Sequence, residues 1–186
     1  MEQLTKRQQQ AKVLRLVRKI HRWTGATLFV LFLFISITGL LLGWKKDSKG
    51  YLLPSTQKGS SSVATDWLPL SDLQNQALFY LDSLDSSLDP SIDRMDVRPG
   101  KGIVKFTFEE HYQELQLDLT TGQLLSFGKR RSDLLEQIHD GSIIDRRLGW
   151  KFFKLLYTTV SGLALFTFTV TGFWLWFGPK RMRQKG

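Results

Sequence analysis

The chain has 186 residues, a formal net charge of +9 and no cysteine. The lack of cysteine excludes disulfides, thiolate-bound metals and cysteine nucleophiles. The positive charge does not indicate a nucleic acid partner, because it is concentrated beside two long apolar segments while the chain between them is almost neutral.

The first apolar segment, residues 24–44, has 21 consecutive residues without a charge. At about 1.5 Å per residue, a helix of this length covers the hydrocarbon core of a bilayer, which is about 30 Å thick. Trp23 and Trp44 stand at its ends, where aromatic residues mark membrane interfaces. The run is too long for a cleaved signal peptide. We therefore predict a basic N-terminal segment at residues 1–23, helical from about Lys12, followed by a transmembrane helix at residues 24–44.

The middle of the chain predicts a small α+β domain. Residues 45–65 are rich in Lys, Gly and Ser, which is typical of a linker, and residues 66–127 form the predicted domain. Its helix runs from an N-cap at Ser71 to about Leu84, because apolar residues recur there on one helical face. Alternating residues then predict three antiparallel strands and a short edge strand, at residues 92–97, 103–108, 112–119 and 124–127.

The last third of the chain predicts a return to the membrane. Residues 128–154 form a connecting and juxtamembrane segment, in which Ser132 starts a short helix that ends near His139. Residues 155–178 carry no charge and are predicted to form the second transmembrane helix. A Gly-Pro pair is expected to end this helix before a basic tail at residues 179–186.

The distribution of Lys and Arg predicts the orientation. Two spans put both termini on one side, and the terminal segments carry eleven Lys and Arg residues against eight at the two ends of the middle segment. Because these residues favour the cytoplasmic side, we expect cytoplasmic termini and an extracytoplasmic middle domain at a bacterial inner membrane. Small and hydroxylated residues in both spans favour close helix packing in the lipid, so we expect a homodimer or another helix partner.

Three passages, in this order, carry a resemblance to a known family. Residues 18–25 read Arg-Lys-Ile-His-Arg-Trp-Thr-Gly, residues 117–124 read Leu-Asp-Leu-Thr-Thr-Gly-Gln-Leu, and residues 138–141 read Ile-His-Asp-Gly. The spans that follow the first and third passages contain Ile-Thr-Gly-Leu and Val-Thr-Gly-Phe. Over residues 15–183 the chain resembles the PepSY-associated transmembrane family. The resemblance implies two transmembrane helices flanking one small PepSY-like domain, which is half of a larger member.

Larger members of that family include inner-membrane reductases of ferric siderophores, in which membrane-associated histidines hold haem b. The chain matches their histidine passages at His21 and His139. The resemblance therefore implies haem b with His21 and His139 as ligands of the iron, and a transmembrane electron-transfer component. Such a protein is an oxidoreductase of the ferric-reductase type or a subunit of one, and its electrons pass to ferric iron, a siderophore complex or a redox partner at the middle domain.

The predicted topology puts His21 and His139 at opposite faces of the membrane, so they cannot bind the same iron. In a homodimer each histidine can pair with its mate, which gives two haems. The residues alone leave other roles open, since His21 can lie among lipid headgroups and His139 can stabilise a helix C-terminus. His111 falls in a predicted turn, where we expect it to be solvated.

The alternative function is a membrane-anchored PepSY-like module that binds or restrains a partner such as a peptidase and has no redox role. The sequence has no His-Glu-x-x-His motif, nucleophile elbow or phosphate-binding glycine loop. No catalytic residue is therefore predicted. The histidines distinguish the two functions, because only the first requires them.

Overall fold

The computed structural model describes residues 6–150 and 152–184, with side chains described at residues 8–150 and 152–180. The chain forms two compact units, which we call the helical unit (Met1–Gly39 and Gln137–Gly186) and the sheet unit (Leu40–Glu136). The helices and strands follow in chain order: α1 (Lys6–Gly43), α2 (Leu70–Leu84), β1 (Ile92–Arg98), β2 (Ile103–Phe108), β3 (Gln113–Asp118), β4 (Leu124–Lys129), α3 (Arg131–His139), α4 (Ser142–Leu148) and α5 (Phe153–Gln184).

Two long helices, α1 and α5, are both long and apolar enough to cross a membrane. Only 6% and 11% of their most apolar windows are buried inside the protein, which is the opposite of what an interior helix of a globular domain shows. Lipid is the environment that suits such exposed apolar surfaces. The predicted fold class, two membrane helices flanking an α+β domain, is confirmed.

The second long helix continues further than predicted. α5 passes through Pro179 and ends at Gln184, so the prediction that Gly178 and Pro179 end it is wrong. Proline lacks the N–H that would bond to the carbonyl of residue 175. That is one missing hydrogen bond close to the end of a long helix, and the helix continues past it. At the other end of the chain, α1 begins at Lys6 rather than near Lys12, since no glycine or proline interrupts the basic segment.

The sheet unit is built around an antiparallel sheet in the order β1-β2-β3-β4. Phe106 pairs with Leu115 and Val104 pairs with Leu117 across β2 and β3, which directs these four side chains to one face. The apolar face of α2 covers them with fully buried side chains, and together they form the core: Leu73, Ala77, Leu81, Val104, Phe106, Phe108, Leu115, Leu117 and Leu119.

The start of α2 and the length of β4 differ from the predictions. Pro69, and not Ser71, is the N-cap of α2. The carbonyl of Pro69 accepts hydrogen bonds from the N–H groups of Asp72 and Leu73 at 3.0 and 3.1 Å, so the helix is already nucleated before the serine. β4 is the predicted edge strand of the sheet, and it continues to Lys129 instead of ending at residue 127.

The opposite face of the sheet is polar, and the segment before α2 lies across it. The backbone N–H of Gln57 donates to the side chain of Gln116 at 2.9 Å, and the N–H of Ser60 donates to Asp118 at 2.7 Å. A side chain at Gly59 would collide with the carbonyl of Gly102, so the backbones approach each other closely there. The stretch that composition assigns to a linker is therefore hydrogen-bonded to the sheet.

These contacts also fix the charge of a buried carboxylate. Asp118 is 3% exposed. Burial acts to raise the pKa of Asp118, but hydrogen bonds from Ser60 and from the backbone N–H groups of Thr120 and Thr121 lower that pKa below its usual range. Asp118 is therefore ionised at neutral pH and holds the linker segment and the β3–β4 turn together.

A buried ion cluster occupies the same polar face. Glu114 is fully buried and accepts hydrogen bonds from Lys105 at 3.2 Å, from Gln116 at 2.7 Å and from Arg130. Arg130 also donates to Asp133 at 2.7 Å. Because every partner of Glu114 is a donor, its negative charge is satisfied without water.

Candidate functional site

The first predicted ligand, His21, contacts α5 from its position on α1. Its Nδ1 lies 2.9 Å from Oγ1 of Thr171. Its ring stacks on Phe168 with the centroids 3.9 Å apart and the planes at 24°. Gly172 follows Thr171 and leaves room for the imidazole, because a Cβ at this position would lie 3.5 Å from Cε1 of His21. The two helices hold His21 by one hydrogen bond and one ring contact.

The second predicted ligand, His139, ends α3 and contacts α1. Its Nδ1 lies 2.8 Å from Oγ1 of Thr38. The next residue, Gly39, again lies against the ring, since a Cβ there would be 3.3 Å from Cε1 of His139. Gly141 has φ of +79°, which lets the chain turn from α3 into α4 directly after this histidine. His21 therefore contacts a Thr-Gly pair on α5, and His139 contacts a Thr-Gly pair on α1.

Each threonine hydroxyl lies within hydrogen-bond distance of both a backbone carbonyl and a histidine Nδ1. Thr38 donates to the carbonyl of Phe34 at 2.7 Å, and Thr171 donates to the carbonyl of Thr167 at 2.6 Å. With its proton used in this way, each threonine oxygen accepts a hydrogen bond from Nδ1–H of the histidine. In that tautomer Nε2 is the nitrogen that offers a lone pair, and no residue that the structure describes forms a hydrogen bond to Nε2 of either histidine. An imidazole oriented like this is prepared to ligate a metal through Nε2.

The two histidines are not brought together. Thr38, which contacts His139, is 17 residues from His21 along α1. At 1.5 Å per residue this corresponds to about 26 Å. A single iron therefore cannot be held by both histidines of one chain.

A cavity of about 490 Å³ lies beside His139 between α1 and α5. Its volume falls in the range of about 300–1,000 Å³ that is typical of cofactor sites. The small residues Ser36, Ser161 and Gly162 line part of its wall. Phe168 also lines the cavity, and its ring stacks on that of His21. The Ser161 hydroxyl is buried with no hydrogen-bond partner among the described residues.

A fixed carboxylate adjoins this cavity. Asp140 forms an ion pair with Lys154 at 2.6 Å and accepts a hydrogen bond from Ser142, also at 2.6 Å. Burial acts to raise the pKa of Asp140, but the bonds from Lys154 and Ser142 lower that pKa below its usual range. The residue next to His139 therefore carries a negative charge that is already paired.

His111 differs from the other two histidines. It lies in the loop between β2 and β3. Its Nε2 lies 3.1 Å from the carbonyl of Asp89, and its Nδ1 accepts the N–H of Gln113 at 3.2 Å. With both nitrogens occupied, His111 has no free position for a metal. In the described ranges, no group of three or more His, Asp or Glu side chains could hold a metal ion.

Sequence reasoning missed the role of Thr38 and Thr171, which it assigned only to helix packing. The partners of these residues are 101 and 150 positions away, so no local periodicity reports the contacts. The signal that was available is the repetition of a Thr-Gly pair in both spans together with a histidine outside each span.

Comparison with known proteins agrees with the resemblance. A family profile described as the PepSY-associated TM region matches residues 18–186. No curated protein and no solved structure shows significant similarity to the chain. The match and the two apolar helices together establish a membrane protein.

Proposed function

Because the chain belongs to the PepSY-associated TM family, we propose that it binds haem b through His21 and His139 and transfers electrons across a bacterial inner membrane, as a ferric reductase or a subunit of one. The observation that carries this proposal is the repeated His–Thr pair. Both imidazoles have Nδ1 bonded to a threonine and Nε2 free, although the two histidines come from different parts of the chain. Helix packing alone does not require this arrangement twice.

The chain's own residues prepare the two sites. Thr38 and Thr171 hold the tautomer, Gly39 and Gly172 leave space beside the rings, and Phe168 supports His21 by stacking. Haem b, when bound, supplies a one-electron redox centre that the side chains lack.

The separation of about 26 Å supports a homodimer. Bis-histidine ligation needs two imidazoles at one iron. A second copy of the chain supplies the mate of His21 at one end and the mate of His139 at the other, so a dimer holds two haems. In the orientation favoured by the Lys and Arg distribution, His21 lies at the cytoplasmic side and His139 at the extracytoplasmic side. Electrons then reach an acceptor such as ferric iron or a ferric siderophore outside.

Removing a threonine acceptor should weaken haem binding while leaving the histidine in place. We expect Thr38→Val and Thr171→Val each to lower the haem affinity of their own site by about 10–100-fold, because the Nδ1–H then has no partner and the imidazole loses its fixed orientation. The measurement is a haem titration of the apoprotein followed by absorption. Thr27→Val is the matched control, since the Thr27 hydroxyl bonds only to backbone carbonyls of its own helix, and it should titrate as wild type does.

Electron transfer is tested in vesicles that contain the haem-loaded protein and trapped ferricyanide. With dithionite added outside, we expect ferricyanide to be reduced to ferrocyanide faster than in protein-free vesicles. Vesicles with His21→Ala or His139→Ala should lose this acceleration, because one of the two haem sites in the path is missing. A haem-loaded wild type that does not accelerate the reduction contradicts the proposal. A wild type that binds no haem supports the anchored binding module instead.

A further inference from the structure

The sheet unit contains a large basic cleft that the sequence does not reveal. Its volume is about 930 Å³, and its wall carries seven Lys and Arg side chains but only one carboxylate, Asp96. The cations come from the segment after α1, from β1, from the turn that follows β1, from β2 and from Arg130 beyond β4. The wall of the cleft therefore carries more positive than negative side chains.

The cations divide into two groups. Four are held by carboxylates: Lys45 by Glu136, Arg98 by Asp96, Lys105 by Glu114, and Arg130 by Glu114 and Asp133. The other three, Lys46, Arg94 and Lys101, are exposed and form no ion pair with any described residue. Seven cations against four carboxylates leave a cleft with three uncompensated positive charges.

Part of this wall is rigid. Lys105 is 5% exposed, and both Lys105 and Arg130 bond to the fully buried Glu114. This part of the wall is therefore preorganised, which lowers the entropic cost of binding an anion in the cleft. The three uncompensated cations occupy exposed positions of the same cleft, where they can form charge-assisted hydrogen bonds with an anion.

From this geometry we propose that the cleft binds a small anion with two or more phosphate or carboxylate groups. A molecule of this class matches three uncompensated charges, and a cleft of about 930 Å³ has room for it. Lys45 and Lys46 follow the end of α1 by two and three residues, so the phosphate can come from a soluble anion or from a lipid headgroup. The proposal does not depend on haem.

The test uses the full chain in nanodiscs of phosphatidylcholine, titrated with pyrophosphate by calorimetry at low salt. We expect saturable binding of one pyrophosphate per chain. The double variant Arg94→Gln, Lys101→Gln should weaken it by about tenfold for each replaced cation. The matched control is Lys58→Gln, Lys129→Gln, which removes two exposed cations of the same unit that do not line the cleft and should bind within about twofold of wild type.

The outcomes separate a built site from diffuse charge. An equal loss of affinity in the two double variants, or the absence of saturable binding to the wild type, overturns the proposal. A second titration in nanodiscs that contain cardiolipin, a lipid with two phosphates, identifies the source of the anion. Competition with pyrophosphate assigns the cleft to a lipid headgroup, and an unchanged affinity assigns it to a soluble anion.

Discussion

The double variant His21→Ala, His139→Ala is expected to purify without haem, and each single variant should retain one haem for every two chains. The proposed wild-type dimer has one site between the two His21 residues and one between the two His139 residues. The two sites are about 26 Å apart along the helix axis. A single replacement removes both ligands of one site and leaves the other site intact. The measurement is the haem-to-chain ratio of the purified protein, which should fall from one to about one half in each single variant.

His111→Ala is the control for this series. Both nitrogens of His111 are used in the β2–β3 loop, so its removal should leave the ratio at the wild-type value. Complete loss of haem in either single variant would show that the two sites are not independent. Full haem content in both single variants would remove His21 and His139 from the list of ligands.

The second large effect concerns the stability of the sheet unit. Glu114→Ala is expected to destabilise it by about 3–5 kcal/mol, because Lys105 is then a buried cation without its partner. Lys105 is 5% exposed and Glu114 is fully buried, so water replaces little of the lost interaction. This cost is a large fraction of the about 5–15 kcal/mol by which a domain is stable. Hydrogen exchange of peptides that cover β2 and β3, measured in the full-length protein, reports the loss directly.

Glu136→Ala is the matched control for this prediction. Glu136 pairs with Lys45 at 3.6 Å and its side chain is 59% exposed, so we expect a change of about 0–1 kcal/mol. Adding Lys105→Met to Glu114→Ala should recover part of the loss, since the unpaired buried cation is removed. If Glu114→Ala and Glu136→Ala leave the exchange of β2 and β3 equally protected, the buried cluster does not stabilise the sheet.

Elements with a strong periodic pattern were predictable from the sequence. The alternation of residues 103–108 predicts β2 with the bounds that the structure has, and the uncharged lengths of both spans predict α1 and α5. The local N-cap signal at Ser71 gave the wrong start for α2. Pro69 replaces Ser71 as the N-cap of α2, because its carbonyl accepts the first hydrogen bonds of the helix.

The sites were less predictable because they depend on contacts between distant parts of the chain. His21 and His139 were identified by resemblance, but the threonines that contact them lie on α5 and α1, at distant positions in the sequence. The basic cleft was hidden because its cations are scattered between Lys45 and Arg130, in a region whose total charge is almost zero. The total charge of a region does not show where the charges lie after folding, and only the folded structure brings these cations together.

The absorption spectrum of the purified full-length wild type, recorded before and after reduction with dithionite, tests the central proposal most directly. The proposed function predicts a Soret band that shifts and sharpens on reduction, with the α and β bands of six-coordinate low-spin haem b and one haem per chain. Protein purified from haem-replete membranes that shows no haem absorption would contradict it.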